Sequence, residues 1–285
     1  MKKIILIIFI SLITFGCSIN DDFSDKYIYT TMYPLEYATE TLYGEYSNVE
    51  SVYPDGADQT YSLTDKKKKQ YSKGETFVYS GLAKEATLAK DLLNINQNLQ
   101  IIDATKGMNI NYSTEELWLD PSNYLMLCSN IKRSLINYNE NVYTKDKIEE
   151  NYKKLNEKIS ELDVELYSIG KNGNYNTILT TNNALKYLTK YNINVISIDQ
   201  NNELADKSYA EAKKLINSKD IDYVYILENQ PLTETQEKFI SQNSLVKINI
   251  DSLYTLSQEE KEEEENYISL MKNIITNYKK ELYKK

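Results

Sequence analysis

A chain of 285 residues with 41% apolar and 26% charged side chains carries enough apolar mass for one large core or two lobes, and its balance is that of a globular protein rather than a disordered polymer. The net charge of −9 argues against a broad nucleic-acid-binding face, and two cysteines cannot build a disulfide framework or a thiolate zinc cluster. The chain has no histidine, which excludes a serine triad, a histidine general base and any imidazole metal site.

In chain order, Lys2 and Lys3 precede an apolar run from Ile4 to Phe15, which reads as a secretory signal and is too short for a standing membrane helix. Gly16-Cys17 at its end resembles a bacterial lipobox, with an ordinary secretory signal as the alternative. The expectation is cleavage after Gly16, residues 1–16 as leader, lipidation of Cys17, and residues 17–25 as a polar tether to the membrane. Loss of Lys2 and Lys3 would take the net charge to −11.

Strands are predicted at 26–31, 49–53, 75–79 and 99–102, where Tyr, Ile, Val and Thr are dense. Pro34 suits a first helical turn, Pro54-Asp55-Gly56 marks a turn, and Asp120-Pro121 pairs an N-cap with a first-turn proline. Helices over 64–73 and 82–93 complete a βαβα alternation, the pattern of parallel sheets covered by helices. From Thr144 to Ser168 the apolar residues Ile148, Tyr152, Leu155, Ile159, Leu162 and Leu166 recur at intervals of four and three, giving one stripe along a long helix. Three heptads barely sustain a coiled coil, so this segment reads as a rigid connector. After Gly170 to Asn174 the alternation restarts, with strands at 177–179, 195–198, 223–227 and 246–250, helices at 183–191, 209–217 and 233–242, and a closing helix at 262–282 whose exposed start holds the acidic run 259–265. The predicted fold class is α/β: two lobes with parallel sheets, residues 26–143 and 169–285, joined by one rigid helix over 144–168. Cys128 shares a helix with Leu125, Leu127 and Ile131 and is expected to be a buried thiol. Lys66 to Lys69 reads as a solvated helix face.

Four segments resemble the ZnuA/TroA-like substrate-binding lipoproteins of zinc and manganese ABC importers. They are Thr30 to Leu35, Val52 to Tyr61, Glu116-Leu117-Trp118-Leu119-Asp120-Pro121, and Thr181 to Leu188. The third is the most specific, being similar to the family's His-x-Trp-Leu-Asp-Pro; a weaker likeness runs through Ile250 to Leu253 and Tyr267 to Lys272. The resemblance implies two α/β lobes on one long backbone helix, an extracytoplasmic lipid-anchored monomer, a metal ion as cargo, and a membrane permease with its ATPase as partners. It places the four ligand positions on Gln59, Glu116, Asn182 and Asp251, of which only Asp251 keeps the family's residue type.

Those four side chains offer oxygen alone, two carboxylates and two amides. Zinc favours nitrogen and sulfur, so the ligand chemistry points to manganese, magnesium or calcium, held weakly, where the resemblance implies zinc or manganese. Glu115, Asp58 and Glu228 add nearby negative charge. The alternative is a degenerate family member without metal, acting as a surface adhesin or scaffold or binding a non-metal ligand. Enzymatic chemistry is not expected: there is no histidine and no glycine-rich phosphate loop, and a Glu116–Asp251 acid pair has no supporting motif.

Overall fold

The computed structural model describes residues 26–57, 61–199, 205–228 and 230–285. The leader, Cys17 and its tether, and Gln59 with Asp58, lie outside the described residues. No helix among the described residues is long and apolar enough to cross a membrane.

Strands β1 (Tyr27–Thr30), β2 (Asn48–Ser51), β3 (Thr76–Tyr79) and β4 (Gln100–Asp103) form a parallel sheet in the order β2-β1-β3-β4. Ile28, Phe77 and Val78 are fully buried, as expected of central strands covered on both faces. Helices α1 (Tyr33–Tyr43), α2 (Asp65–Tyr71), α3 (Ala83–Ile95), the single turn α4 (Glu116–Leu119) and α5 (Pro121–Tyr138) complete this lobe. Pro34 stands in the first turn of α1, and the Asp120 carboxylate caps α5 by accepting the Ser122 N–H at 3.0 Å. Ala57 N–H closes the Pro54 turn at 3.0 Å, with Gly56 at φ 69°, a left-handed backbone that suits glycine.

The connecting helix α6 (Val142–Asn172) runs further at both ends than its apolar stripe foretells. Asn141 caps it by accepting the Tyr143 and Thr144 N–H groups, and its first residues, Val142 and Tyr143, are exposed, so no apolar periodicity announces them. Ile148, Leu155, Ile159, Leu162 and Leu166 are buried, whereas Tyr152 is half-buried beneath the Lys132 ammonium, 4.6 Å from its ring centre.

The second sheet, β5 (Thr177–Thr180), β6 (Asn194–Ser197), β7 (Tyr223–Leu227) and β8 (Val246–Ile250), repeats the first in the order β6-β5-β7-β8. Its helices are α7 (Ala205–Asn217), α8 (Glu234–Gln242), α9 (Gln258–Glu262) and α10 (Tyr267–Leu282). The segment read as a helix at 183–191 is a 3-10 helix over Ala184–Tyr191, ended by Asn192 in the left-handed region. The expected single closing helix is broken between α9 and α10. Glu264 takes φ 54°, and Asn266 caps a new start by accepting the Ile268 and Ser269 N–H groups. The acidic run therefore spans α9 and this break and does not open the last helix.

One apolar core runs from Ile28 and Phe77 in the first lobe through α6 to Ile250 and Ile275 in the second. A smaller cluster of Leu179, Ile196, Val224 and Ile240 lies beneath α7 and α8. Helix α10 carries Tyr267 across to the first lobe, where its ring stacks on Tyr124 at 3.9 Å. Cys128 is buried, as expected, and burial pushes its thiol pKa far up.

Candidate binding cleft between the lobes

In both sheets the strand order reverses direction beside the first strand, between β1 and β3 and between β5 and β7. Crevices open at the carboxyl ends of strands at such switch points. Thr31, Met32 and Ser80 follow β1 and β3, while Thr181, Asn182 and Glu228 follow β5 and β7. The loops beyond both sheets meet at the lobe junction. Tyr33 N–H donates to Tyr254 O at 3.0 Å, the Trp118 indole N–H to Ser252 O at 2.7 Å, and the Thr255 hydroxyl to Ala57 O at 3.4 Å. On the flank, Lys190 pairs with the buried Asp120, and Tyr191 donates to Asp163 at 2.6 Å.

Three of the four predicted ligand positions fall within the described residues and reach this junction. Glu116 opens α4 with its carboxylate buried. That carboxylate accepts the N–H groups of Asn111 and Tyr112, the latter at 3.2 Å, so it ties down the 111–112 loop. Asn182 Oδ1 accepts the Ala184 N–H at 2.8 Å, which fixes the amide, since a flip would set two donors face to face. Its buried Nδ2 has no hydrogen-bond partner and is a donor, the wrong polarity for a cation. Asp251 Oδ1 accepts the Leu253 N–H at 2.8 Å, while its buried Oδ2 has no donor. Burial, then the neighbouring carboxylates of Glu260 and Glu228, push the Asp251 pKa up to about 8. Of the three, Asp251 alone offers a carboxylate oxygen with no donor on it. Among the described residues no three Asp, Glu, Cys or His side chains converge as a metal-binding group. Glu115 sits at the same junction, where the Gln230 amide donates to it at 3.4 Å.

Sequence reasoning missed several polar groups here. Glu85, third in α3, is buried against the β1–β3 crevice, and its Oε2 accepts both the Thr31 hydroxyl at 2.5 Å and the Ser80 N–H at 2.9 Å. Burial raises its pKa despite those donors. A cavity of about 260 Å³ beside it is walled by Met32, Leu82, Trp118 and Tyr254. Beneath the second lobe's crevice, Ser113, Asn182, Asn183 and Asp199 line a polar chamber of about 370 Å³. An acid three residues into the helix after a strand ending in Ser-Gly is a readable signal for Glu85; the chamber is assembled from distant loops and has none.

The model of the family described as zinc-uptake complex component A, periplasmic, matches residues 28–281. Among solved structures, the Zn(II)-bound ZnuA-like domain of Streptococcus pneumoniae AdcA is similar at 23% identity, covering 91% of this chain and 100% of that one with a TM-score of 0.74. The metal-dependent lipoprotein YcdH of Bacillus subtilis shares 20% identity over 90% of this chain and 99% of that one, also with a TM-score of 0.74. A periplasmic metal-binding protein from Candidatus Liberibacter asiaticus shares 17% identity over 90% of this chain and 100% of that one, with a TM-score of 0.73. No curated protein matches the chain. At these identities the structural likeness speaks for the two-lobed fold, and the family match, running from β1 into α10, makes the chain a member of the periplasmic zinc-uptake component A family.

Proposed function

We propose that this protein is the extracytoplasmic receptor of a metal ABC importer, tethered through a lipidated Cys17, which captures a divalent cation between its lobes and presents it to a permease. The observation that carries the reading is Asp251, a carboxylate at the lobe junction with one buried oxygen lacking a donor and two further acids, Glu260 and Glu228, nearby. A divalent cation that displaces the proton Asp251 holds below about pH 8 would relieve that repulsion. With Glu116 engaged by backbone amides and Asn182 presenting N–H, the cation would be held by few protein groups and by water. That coordination suits manganese, magnesium or calcium better than zinc, at modest affinity. The role is capture and delivery, not catalysis, and Gln59 would complete the site from the first lobe, two residues beyond Ala57.

The test is elemental analysis of the purified mature domain together with melting curves in zinc, manganese, magnesium and calcium. A cation at a hundred times its dissociation constant stabilises the fold by about 2.7 kcal/mol. The expected result is a larger rise in Tm with a hard cation than with zinc, lost in Asp251→Ala. No co-purified metal and no shift with any of the four ions overturns the reading. A shift that survives Asp251→Ala places the ion elsewhere.

A further inference from the structure

The cavity of about 260 Å³ beyond β1 and β3 has a wall of mixed character. Met32, Leu82, Trp118 and Tyr254 make it chiefly apolar, yet Glu85 contributes a carboxyl group to the same wall. Trp118 is fixed by its bond to Ser252 O at 2.7 Å, and the Tyr254 ring, 6.4 Å from it, stacks on Tyr53 at 5.7 Å. Two aromatic side chains, one from each lobe, are thus held in place before any occupant arrives. Glu85 is 5% exposed, and the bonds it accepts from the Thr31 hydroxyl and the Ser80 N–H both fall on Oε2. Oε1 accepts neither of them, and the carboxyl lines the cavity, so Oε1 is the acceptor an occupant can reach. Burial is the chief influence on this carboxyl and raises its pKa; a positive group in the cavity would act the other way.

Charge and surroundings specify the occupant. A carboxylate beside aromatic rings favours a cation, because the acid supplies the counter-charge and ring faces carry negative potential. An anion would meet Glu85 and be repelled. A bare metal ion would find too few oxygen donors, since besides Glu85 the wall offers only the Ser80 and Thr114 side chains as oxygen carriers outside the Tyr254 ring. The cation must therefore bring its own N–H groups and an apolar body, as a primary ammonium on an aryl or alkyl group does. Lys84 also lines the space, but its ammonium is taken up by Tyr61 O and by the Tyr53 ring, 5.8 Å from its centre. Among the influences that favour ionised Glu85 it ranks below Thr31 and Ser80, so it leaves the acid in need of a counter-charge.

We propose that this cavity binds a small organic ammonium ion, an arylalkylamine or alkylamine, with its N–H groups on Glu85 Oε1 and its apolar body against Leu82, Trp118 and Tyr254. It is a second site, apart from the proposed metal cleft, because Glu116, Asn182 and Asp251 line no part of it. Glu85 belongs to the first lobe and Tyr254 to the second, so an occupant also holds the two lobes together.

The test is titration calorimetry of the mature domain, in EDTA, with phenethylamine, pentylamine and the uncharged 2-phenylethanol. At least one amine should bind saturably at millimolar concentration or below, and the alcohol should bind about tenfold more weakly than phenethylamine or worse. Glu85→Gln keeps an acceptor for Thr31 and Ser80 but removes the charge, and should weaken amine binding about tenfold or more, with circular dichroism confirming a native fold. Leu82→Trp, which fills the cavity and leaves Glu85 in place, should block binding by itself and serves if the Glu85 variant does not fold. Asp251→Ala should leave the amine affinity unchanged. No saturable binding of either amine, equal binding of the alcohol, or binding that survives both cavity variants overturns the proposal. Binding lost in Asp251→Ala but kept in Glu85→Gln also overturns it, by placing the ammonium among the acids around Asp251. Because EDTA removes metal ions from these titrations, failure here leaves the metal reading standing.

Discussion

Glu116 falls where the family resemblance sets a metal ligand, yet its oxygens accept two backbone N–H groups from the loop that follows β4. A carboxylate is well suited to that work, since it accepts at several lone pairs, whereas a neutral imidazole accepts at one. A second acid, Glu36 in α1, makes a measurable claim on stability. Its Oε1 accepts the Ser51 N–H at 3.1 Å, but burial, aided by Glu40 and Asp55, outweighs that bond and Lys261 and raises its pKa from 4.5 to about 7. The folded state then binds more protons than the unfolded one between those values, so this group's contribution to stability falls as pH rises from 4.5 through about 7. Glu36→Gln is expected to flatten that part of the pH dependence of Tm while leaving the acid end unchanged. Melting curves across the interval check it; an unaltered slope would show that Glu36 is solvated.

The helix α6 owes its straight run to a buried stripe, and its far end to one close approach. A Cβ on Gly170 would stand 1.9 Å from Tyr191 O in the 3-10 helix. Alanine gains up to about 1 kcal/mol in helix propensity, but overpacking against backbone costs about 1–3 kcal/mol and the neighbour cannot rotate aside. Gly170→Ala should therefore lower Tm, whereas a helix-propensity effect alone would raise it; thermal denaturation decides between them. The elements the sequence displays best are those whose environment is periodic. The stripe from Ile148 to Leu166 and the Tyr-, Ile- and Val-rich strands locate α6 and the two sheets within a few residues. Periodicity placed the end of the 184–191 segment at Tyr191 but not its 3-10 character, and it failed at Glu264, whose left-handed backbone separates α9 from α10. The cleft was legible only in part. Glu116, Asn182 and Asp251 reach the junction, but which atoms each presents there depends on the N–H groups of Tyr112, Ala184 and Leu253; the last two bonds are Asx-turns, a habit of Asn and Asp that sequence only hints at, and the first has no local signature. Ser113 and Asp199 were invisible because the chamber joins loops far apart in the chain.

At the scale of the molecule, the lobes are separate sheets over a shared core, since α10 returns across the junction and seats Tyr267 against Tyr124 and beneath Trp118 O at 2.6 Å. Unfolding one lobe would strip the other of that packing. A single cooperative transition is therefore expected, with calorimetric and van't Hoff enthalpies equal; two resolved transitions would show that the lobes unfold independently. The same architecture restrains wide hinge opening, because α6, Lys190–Asp120 and the Tyr33–Tyr254 contact all bridge the halves. Trp118, the chain's one tryptophan, stands at the centre of that bridge, its ring buried and its N–H donated to Ser252 O on the opposite lobe. Selective excitation of indole thus illuminates the junction and nothing else. The molecule carries its own gauge of whether its halves are docked or parted: blue, water-shielded emission at rest, and a red shift in any state, whether cargo-driven or permease-driven, that pulls Ser252 away.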